Sequence, residues 1–342
     1  MEYKMAERDG RQLQVCYRDF RPADAPGVVA CIQNEYDSTY LIPEYYKPEV
    51  LRKGAAHGKF HFLVAEADGK IVAVLGLKPN QPHDATCELI IALVLKKYRH
   101  FGIMGTLFSM ALKKMSAMPG ISAGYAYSVT YHDFSQRSME HLGFVPCGFL
   151  FSVLDLQKLS QSFMHDKNAK HHQNIVVIRQ EKDNAGTIYI PAEHTNIARY
   201  VYDALGVKVN TESGFVPLSG KSRLVVENDA VHSSCSIRIE ESGTDITDCI
   251  RSIAQKYQSP RQTFNVMLNV SDQRAVAAYH ELRQLGYFFT GWQPITGKNE
   301  FMLLHNPGHV PIDFAAIAIA EDGQYLLKYV KTCYQNRGNY HG

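Results

Sequence analysis

Apolar residues run almost unbroken from Leu89 to Leu95, and the pattern then changes period, with Leu107, Phe108, Ala111, Leu112 and Met115 recurring at helical spacing. A continuous apolar run carrying β-branched Ile90, Ile91 and Val94 predicts a strand covered on both faces; the second stretch predicts a helix with one apolar side. The connection RHFGIMG, from Arg99 to Gly105, holds two glycines. A helix that opens directly from such a turn leaves its first N–H groups without intrahelical acceptors, and together with the helix dipole these make an anion site. A phosphate or pyrophosphate is the natural guest.

The same periodicities order the rest of the chain. VCYRDF predicts a short strand, followed by a helix with Asp24 as N-cap, Pro26 in its first turn, and Val28, Val29, Ile32 and Tyr36 on one face. A second helix is expected over Pro48–Ala56. Two alternating strands then flank Asp68-Gly69, a strong two-residue hairpin signal, and lead into the strand at Glu88. Pro119-Gly120 closes the central helix. ISAGYAYSVT predicts a strand, HDFSQRSMEHL a helix ended by Gly143, and FVPCGFLFSVLDL another strand.

Residues 159–174 are polar and without apolar period, which predicts a linker, and the polar first 14 residues predict a disordered leader. His165, His171 and His172 fall in the linker and are expected at the surface, not around a metal, so no metal site is expected. Residues 175–342 then repeat the earlier grammar. NIVVIRQ, SRLVVEND and SSCSIRIEES predict strands; a helix with Ile197, Tyr200, Val201 and Leu205 on one face and a helix capped by Thr244 or Asp245 follow the same alternation. FNVMLNVSDQRAVAAYHELRQLGYFFTGWQPI copies the strand, helix, Gly-aromatic, strand order of residues 124–149, and QYLLKYVKTCY predicts a closing helix.

Length and composition change this picture little. A chain of 342 residues predicts two domains of ordinary size, here 15–158 and 175–342. The 45% hydrophobic and 20% charged content predicts a globular protein with a full core, and the net charge of +2 provides no bulk attraction to nucleic acid or membrane. The longest apolar runs fall far short of the roughly 20 residues a membrane helix needs. Seven cysteines without a C-x-x-C pair, behind a start that lacks a secretory signal, predict reduced thiols and a cytoplasmic location.

The run VLKKYRHFGIMG resembles the acetyl-CoA-binding motif V-x-P-x-Y-R-x-x-G-[IL]-[GA] of the GCN5-related N-acetyltransferases at Val94, Tyr98, Arg99, Gly102 and Ile103, with Lys96 in place of the proline and Met104 in place of Gly or Ala. Residues His132, Ser135, Met139 and Gly143 resemble the family's later motif N-x-x-A-x-x-x-Y-E-x-x-G-F. The resemblance implies an α/β (α+β) fold of two tandem acyl-CoA N-acyltransferase-like domains, each a mixed, mostly antiparallel twisted sheet flanked by helices. The second copy is degenerate: its counterpart of the phosphate turn, SGTDITD, has no Arg and no second Gly, and it presents Asp245 and Asp248, which repel an anion. Parts of the second half also resemble acetyltransferase regions found beside anti-sigma-factor-type kinases in bacteria.

By that resemblance, acetyl-CoA is held by Leu93, Val94 and Leu95, along which the pantetheine arm pairs like an added strand, by Arg99, His100, Phe101, Gly102, Ile103, Met104, Gly105 and Thr106 at the turn, and by His132. Acetyl transfer to an amine needs a base for the amine proton and gains from an acid at the departing thiolate. Glu88, six residues before Val94, stands where some family members carry the base, and burial among Leu89, Ile90 and Ile91 would raise its pKa; a paired carboxylate at the strand start is the other reading. The family's acid is a tyrosine where this chain has Met139, which cannot donate a proton. Tyr125, Tyr127, Tyr131 and His132 are the nearby substitutes, and Tyr131 is the catalytic candidate beside Glu88. The expected activity is N-acetylation of a small-molecule or peptide amine by direct attack. A non-catalytic acyl-CoA sensor and a longer-chain acyltransferase are the alternatives, and a homodimer is left open.

Overall fold

The computed structural model describes residues 1–342 other than 39, 41, 81–84, 156–169, 180–185, 231, 297–298 and 339–342. Its contacts divide into two compact units: Met1–Ala126, and Tyr127–Asp155 with the described residues of 169–342. Packing therefore does not divide at the expected linker, because residues 127–155 pack with the C-terminal half. Of that linker, residues 159–169 lie outside the described residues and 170–174 belong to a strand.

The first unit runs β1 (Glu2–Arg8), β2 (Arg11–Asp19), α1 (Ala25–Tyr36), α2 (Pro48–Ala56), β3 (His61–Ala67), β4 (Lys70–Pro79), β5 (Thr86–Val94), α3 (Ile103–Ser116) and β6 (Ala123–Val129), of which Ala123–Ala126 belong to it. The strands lie in chain order, antiparallel throughout except for the parallel pair β5–β6. Consecutive residues of β3 (Phe62–Ala65) and β4 (Val72–Leu75) are buried, as strands covered on both faces require. Helices α1 and α2 bury Val28, Val29, Ile32 and Leu51 against Phe62, Val64, Val74 and Ile90, and α3 packs against β3, β4 and β5 through residues that include Leu107, Phe108, Ala111 and Met115.

The leader expected to be disordered is instead the hairpin β1–β2. Asp9 and Gly10 both have positive φ, 51° and 74°, the backbone that a tight two-residue hairpin turn needs. Asp24 caps differently from the expectation too. Its carboxylate accepts the Arg21 N–H and both Arg18 terminal nitrogens, at 2.6–2.9 Å, rather than a helix N–H.

The second unit contains α4 (Phe134–Glu140), β7 (Val145–Asp155), β8 (Lys170–Arg179), β9 (Gly186–Tyr189), α5 (Thr195–Ala204), β10 (Val209–Glu212), β11 (Arg223–Asp229), β12 (Ser234–Glu241), α6 (Ile246–Lys256), β13 (Thr263–Asn269), α7 (Ala275–Gln284), β14 (Phe288–Thr296), β15 (Asn299–Asn306) and α8 (Gln324–Gln335). Its main sheet has the order β8-β7-β14-β15-β13-β12-β11, antiparallel except for β12–β13, and β9–β10 form a separate parallel ribbon. The segment β12-α6-β13-α7-β14-β15 repeats β5-α3-β6-α4-β7-β8 element for element. Two mixed, mostly antiparallel sheets flanked by helices are thus both present. On α5 the buried aromatic is Tyr202 and not Tyr200, which is 40% exposed.

Candidate functional site

In the first unit β5 and β6 pair only at Thr86↔Ala123, Cys87↔Gly124 and Glu88↔Tyr125. Beyond Glu88, β5 continues six residues to Val94 while pairing with β4 alone, a stretch of roughly 20 Å at strand rise. A bulge in this stretch, where Val74↔Leu93 is followed by Gly76↔Ile90, places Ile91 at φ 51°, an uncommon backbone for a β-branched residue. Ala92 is exposed in the middle of the strand. Parallel strands that separate this way leave one edge of β5 open to an added extended chain.

At the end of β5 the chain turns through Lys96–Tyr98 and enters α3. His100 and Gly102 both take the left-handed conformation (φ 68° and 69°), and Gly102 is the N-cap, without a side-chain cap. A Cβ at Gly102 or Gly105 would meet nothing within 4 Å. The first turn of α3 therefore faces open space with its N–H groups leading, and Thr106 N–H bonds Gly102 O at 3.2 Å. That cradle fits the diphosphate of a coenzyme.

Buried and paired side chains hold the turn in place. Tyr98 is buried and donates to Asp68 at 2.9 Å, and Phe101 is buried with the Arg11 guanidinium 5.8 Å above its ring. Arg99 donates Nε–H to the Val94 carbonyl at 3.1 Å and pairs with Glu35 of α1. Two of its guanidinium nitrogens are thus bonded within the protein, and through them Arg99 helps hold the turn. Leu95 N–H is likewise bonded to the Val72 carbonyl at 2.9 Å. Met104 and Thr106 are half-buried, and the Thr106 hydroxyl bonds Tyr17.

Glu88 is half-buried, and its Oε2 accepts from Lys78 Nζ at 3.1 Å. The structure thus supports the paired-carboxylate reading over burial among Leu89–Ile91. Opposite it in register, buried Tyr125 accepts from Asn80 Nδ2 at 2.9 Å, and Asn80 also bonds Thr86 at 3.0 Å. A ladder of rings approaches from α1 and the following loop: Tyr36–Tyr40 (4.9 Å), Tyr40–Tyr45 (6.1 Å) and Tyr45–Phe60 (5.4 Å). Burial, with the Glu88 charge added, pushes the Tyr45 phenol up to about 12, and burial first, then neighbouring phenols and Glu88, raises that of Tyr40. These hydroxyls stay protonated at neutral pH. The aromatic wall was visible in the sequence as Tyr40, Tyr45 and Tyr46, but nothing there aimed it at Glu88.

Tyr131 and His132, the other expected site residues, belong to the second unit, where their rings touch at 4.6 Å. Met139 is buried, with Ser128 Oγ 3.7 Å from its sulfur.

The counterpart turn of the second unit is closed. Strands β12 and β13 pair at six positions, Ser234–Ile239 against Thr263–Leu268, so no edge opens between them. Its helix N-terminus is filled by the chain's own residues 220–222: Thr244 N–H bonds Gly220 O (3.1 Å), Gly243 N–H bonds Ser222 Oγ (3.0 Å) and Ser222 N–H bonds the Asp245 carboxylate (2.8 Å). A Cβ on Gly243 would lie 2.4 Å from this segment. That Ser222 bond holds the Asp245 carboxyl below the usual range. A concavity of about 600 Å³ lies elsewhere in this unit, lined by Glu227, Asp229, Ser234 and Ser236; its carboxylates would repel a phosphate.

Among the described residues no helix is long and apolar enough to cross a membrane, and no cluster of His, Cys, Asp or Glu could hold a metal.

Residues 29–144 match the family model described as acetyltransferase (GNAT) family. No curated protein matches the chain. Similar solved structures include an N-acetyltransferase from Staphylococcus aureus Mu50 (14% identity, 49% of this chain and 99% of that one, TM-score 0.40), a ribosomal-protein-alanine N-acetyltransferase from Brucella melitensis (19%, 48% and 99%, 0.39) and a spermidine N-acetyltransferase from Vibrio cholerae (16%, 49% and 95%, 0.41).

Proposed function

From residues 29–144, which match the acetyltransferase (GNAT) family model, we propose that this chain transfers an acetyl group from acetyl-CoA to a primary amine by direct attack. The observation that carries this reading is the open edge of β5 leading from Glu88 into an uncapped helix N-terminus, with Gly102 and Gly105 facing empty space. In it the N–H groups over Gly102–Gly105 hold the diphosphate, Arg99 and Tyr98 keep the turn against α1 and the β3–β4 hairpin, and Leu93 and Val94 guide the arm. When bound, acetyl-CoA supplies a thioester carbonyl for the neutral amine to attack and a thiolate to leave. Glu88, with Lys78 Nζ 3.1 Å from its carboxylate, takes the amine proton, directly or through one water. Tyr40 and Tyr45 wall the acceptor side, an arrangement that suits a cationic amine arriving beside a carboxylate.

A second reading, a coenzyme-binding sensor without turnover, is favoured by the buried Met139 where an acid would stand. One experiment separates the two: calorimetric titration with coenzyme A, then thiol release from acetyl-CoA over a panel of amines. Binding with turnover, lowered about 10²-fold or more in kcat by Glu88→Gln, supports the enzyme. Binding without thiol release on any amine supports the sensor, and absence of binding overturns both.

A further inference from the structure

The strand β1 ends its sheet, and its sequence is complementary to itself. Among the described residues β1 pairs with β2 on one side only. Its odd-numbered residues form an exposed apolar row: Met1, Tyr3 and Met5 are 72%, 62% and 62% accessible. On the other face Glu2 and Lys4 form an exposed ion pair at 3.2 Å. An exposed, apolar edge of this kind is a template for another strand, and proteins that do not use such an edge protect it.

The hairpin geometry decides which backbone groups face outward. The two-residue turn Asp9-Gly10 is closed by Arg8↔Arg11, and the pair that closes such a turn exchanges both hydrogen bonds. Alternation then directs the N–H and C=O of residues 2, 4 and 6 to β2, and those of Tyr3, Met5 and Glu7 to the open edge. A two-fold contact must pair odd residues with odd ones, so its axis falls on a residue. An axis at Lys4 sets Lys4 against itself. An axis at Met5 sets Tyr3 against Glu7 and Lys4 against the buried Ala6. An axis at Tyr3 pairs Tyr3 with Tyr3, Met1 with Met5 twice and Glu2 with Lys4 twice, so that every opposed pair is apolar–apolar or acid–base. The charged pairs then occupy non-hydrogen-bonded positions, where opposite side chains come closest.

We infer that two copies of this chain associate by antiparallel pairing of their β1 edges about a two-fold axis at Tyr3. The contact involves none of the groups assigned to acetyl transfer, so it stands or falls apart from that assignment. The test is sedimentation equilibrium of the full chain and three charge variants, with two cysteine variants for cross-linking, circular dichroism confirming that each stays folded. Wild type is expected to be dimeric, Lys4→Glu and Glu2→Lys each to raise the dimer Kd tenfold or more, and the double exchange Glu2→Lys/Lys4→Glu to restore it. For register, Tyr3→Cys in a Cys16→Ala background is expected to form a disulfide-linked dimer on mild oxidation, since hydrogen-bonded pairs sit near 5.5 Å between Cα atoms. Met5→Cys in that background is expected to stay unlinked. A monomeric wild type at 100 µM, as an order-of-magnitude working concentration, failure of the double exchange to restore the dimer, or cross-linking through Met5 in place of Tyr3 overturns the inference.

Discussion

Replacing Gly105 with alanine separates the stability of the turn from its capacity to hold an anion. Gly105 lies in the first turn of α3 with ordinary helical φ, and its added methyl would meet no atom within 4 Å. Alanine in a helix is favoured over glycine by about 0.5–1 kcal/mol, largely through the entropy of the unfolded chain, so the variant is expected to be the more stable protein. For a chain of this size that corresponds to a rise of about 1–3 °C in Tm. The space the methyl enters is where the diphosphate would lie. Pushing the ligand off even one charge-assisted N–H contact costs about 1.5–3 kcal/mol, or roughly 10- to 150-fold in Kd for coenzyme A. Thermal unfolding by circular dichroism and calorimetric titration give the two numbers from one preparation. Gly102→Ala lacks this discrimination, because the left-handed backbone at Gly102 costs about 1–2 kcal/mol for any side chain, and stability and affinity would fall together. A folded Gly105→Ala protein whose Kd stays within about threefold of wild type, well under the loss of one such contact, would refute the placement of the diphosphate over this helix.

Three further outcomes follow from the described contacts. Coenzyme titration should saturate at one equivalent per chain, since residues 220–222 fill the second unit's turn; two equivalents would contradict that closure. Asp24→Ala leaves the buried Arg18, among the described residues, with Glu66 at 2.7 Å as its remaining charged partner, and a loss of about 3–5 kcal/mol is expected from urea unfolding. Burial acts to raise the Asp24 carboxyl, but its bonds from Arg18 and Arg21 outweigh it and hold the group below its unfolded value. That stability is therefore present above the unfolded carboxylate pKa and is lost as pH falls through the folded one, so the Asp24→Ala protein should show a flatter acid limb. Glu140 is shifted the other way, up to about 7, by burial first and then by Asp322, Asp133 and Glu321. Its contribution is fully present below the unfolded glutamate pKa and is lost as pH rises through about 7, so Glu140→Gln should raise Tm at pH 8 and leave it nearly unchanged at pH 4.

The sequence by itself determined what depends on near neighbours. The apolar run into β5, the helical period of α3, the Asp68-Gly69 turn and the glycines between Arg99 and Gly105 are all local, because strand and helix periods and positive φ act over a few residues. The Asp9-Gly10 turn was equally legible, and β1 went unrecognised only because its apolar residues alternate with charges on a strand where Glu2–Met5 are exposed on both faces. Tertiary structure decided everything that needed a distant partner. It separated β5 from β6 after Glu88 yet kept β12 against β13 for six pairs, it placed Glu35 on Arg99 across 64 positions, and it brought residues 220–222 onto the second helix N-terminus. It also packed residues 127–155 with the C-terminal half. Local patterns say which backbone groups are left unsatisfied; only the folded chain says whether its own distant segments satisfy them or leave them for a ligand.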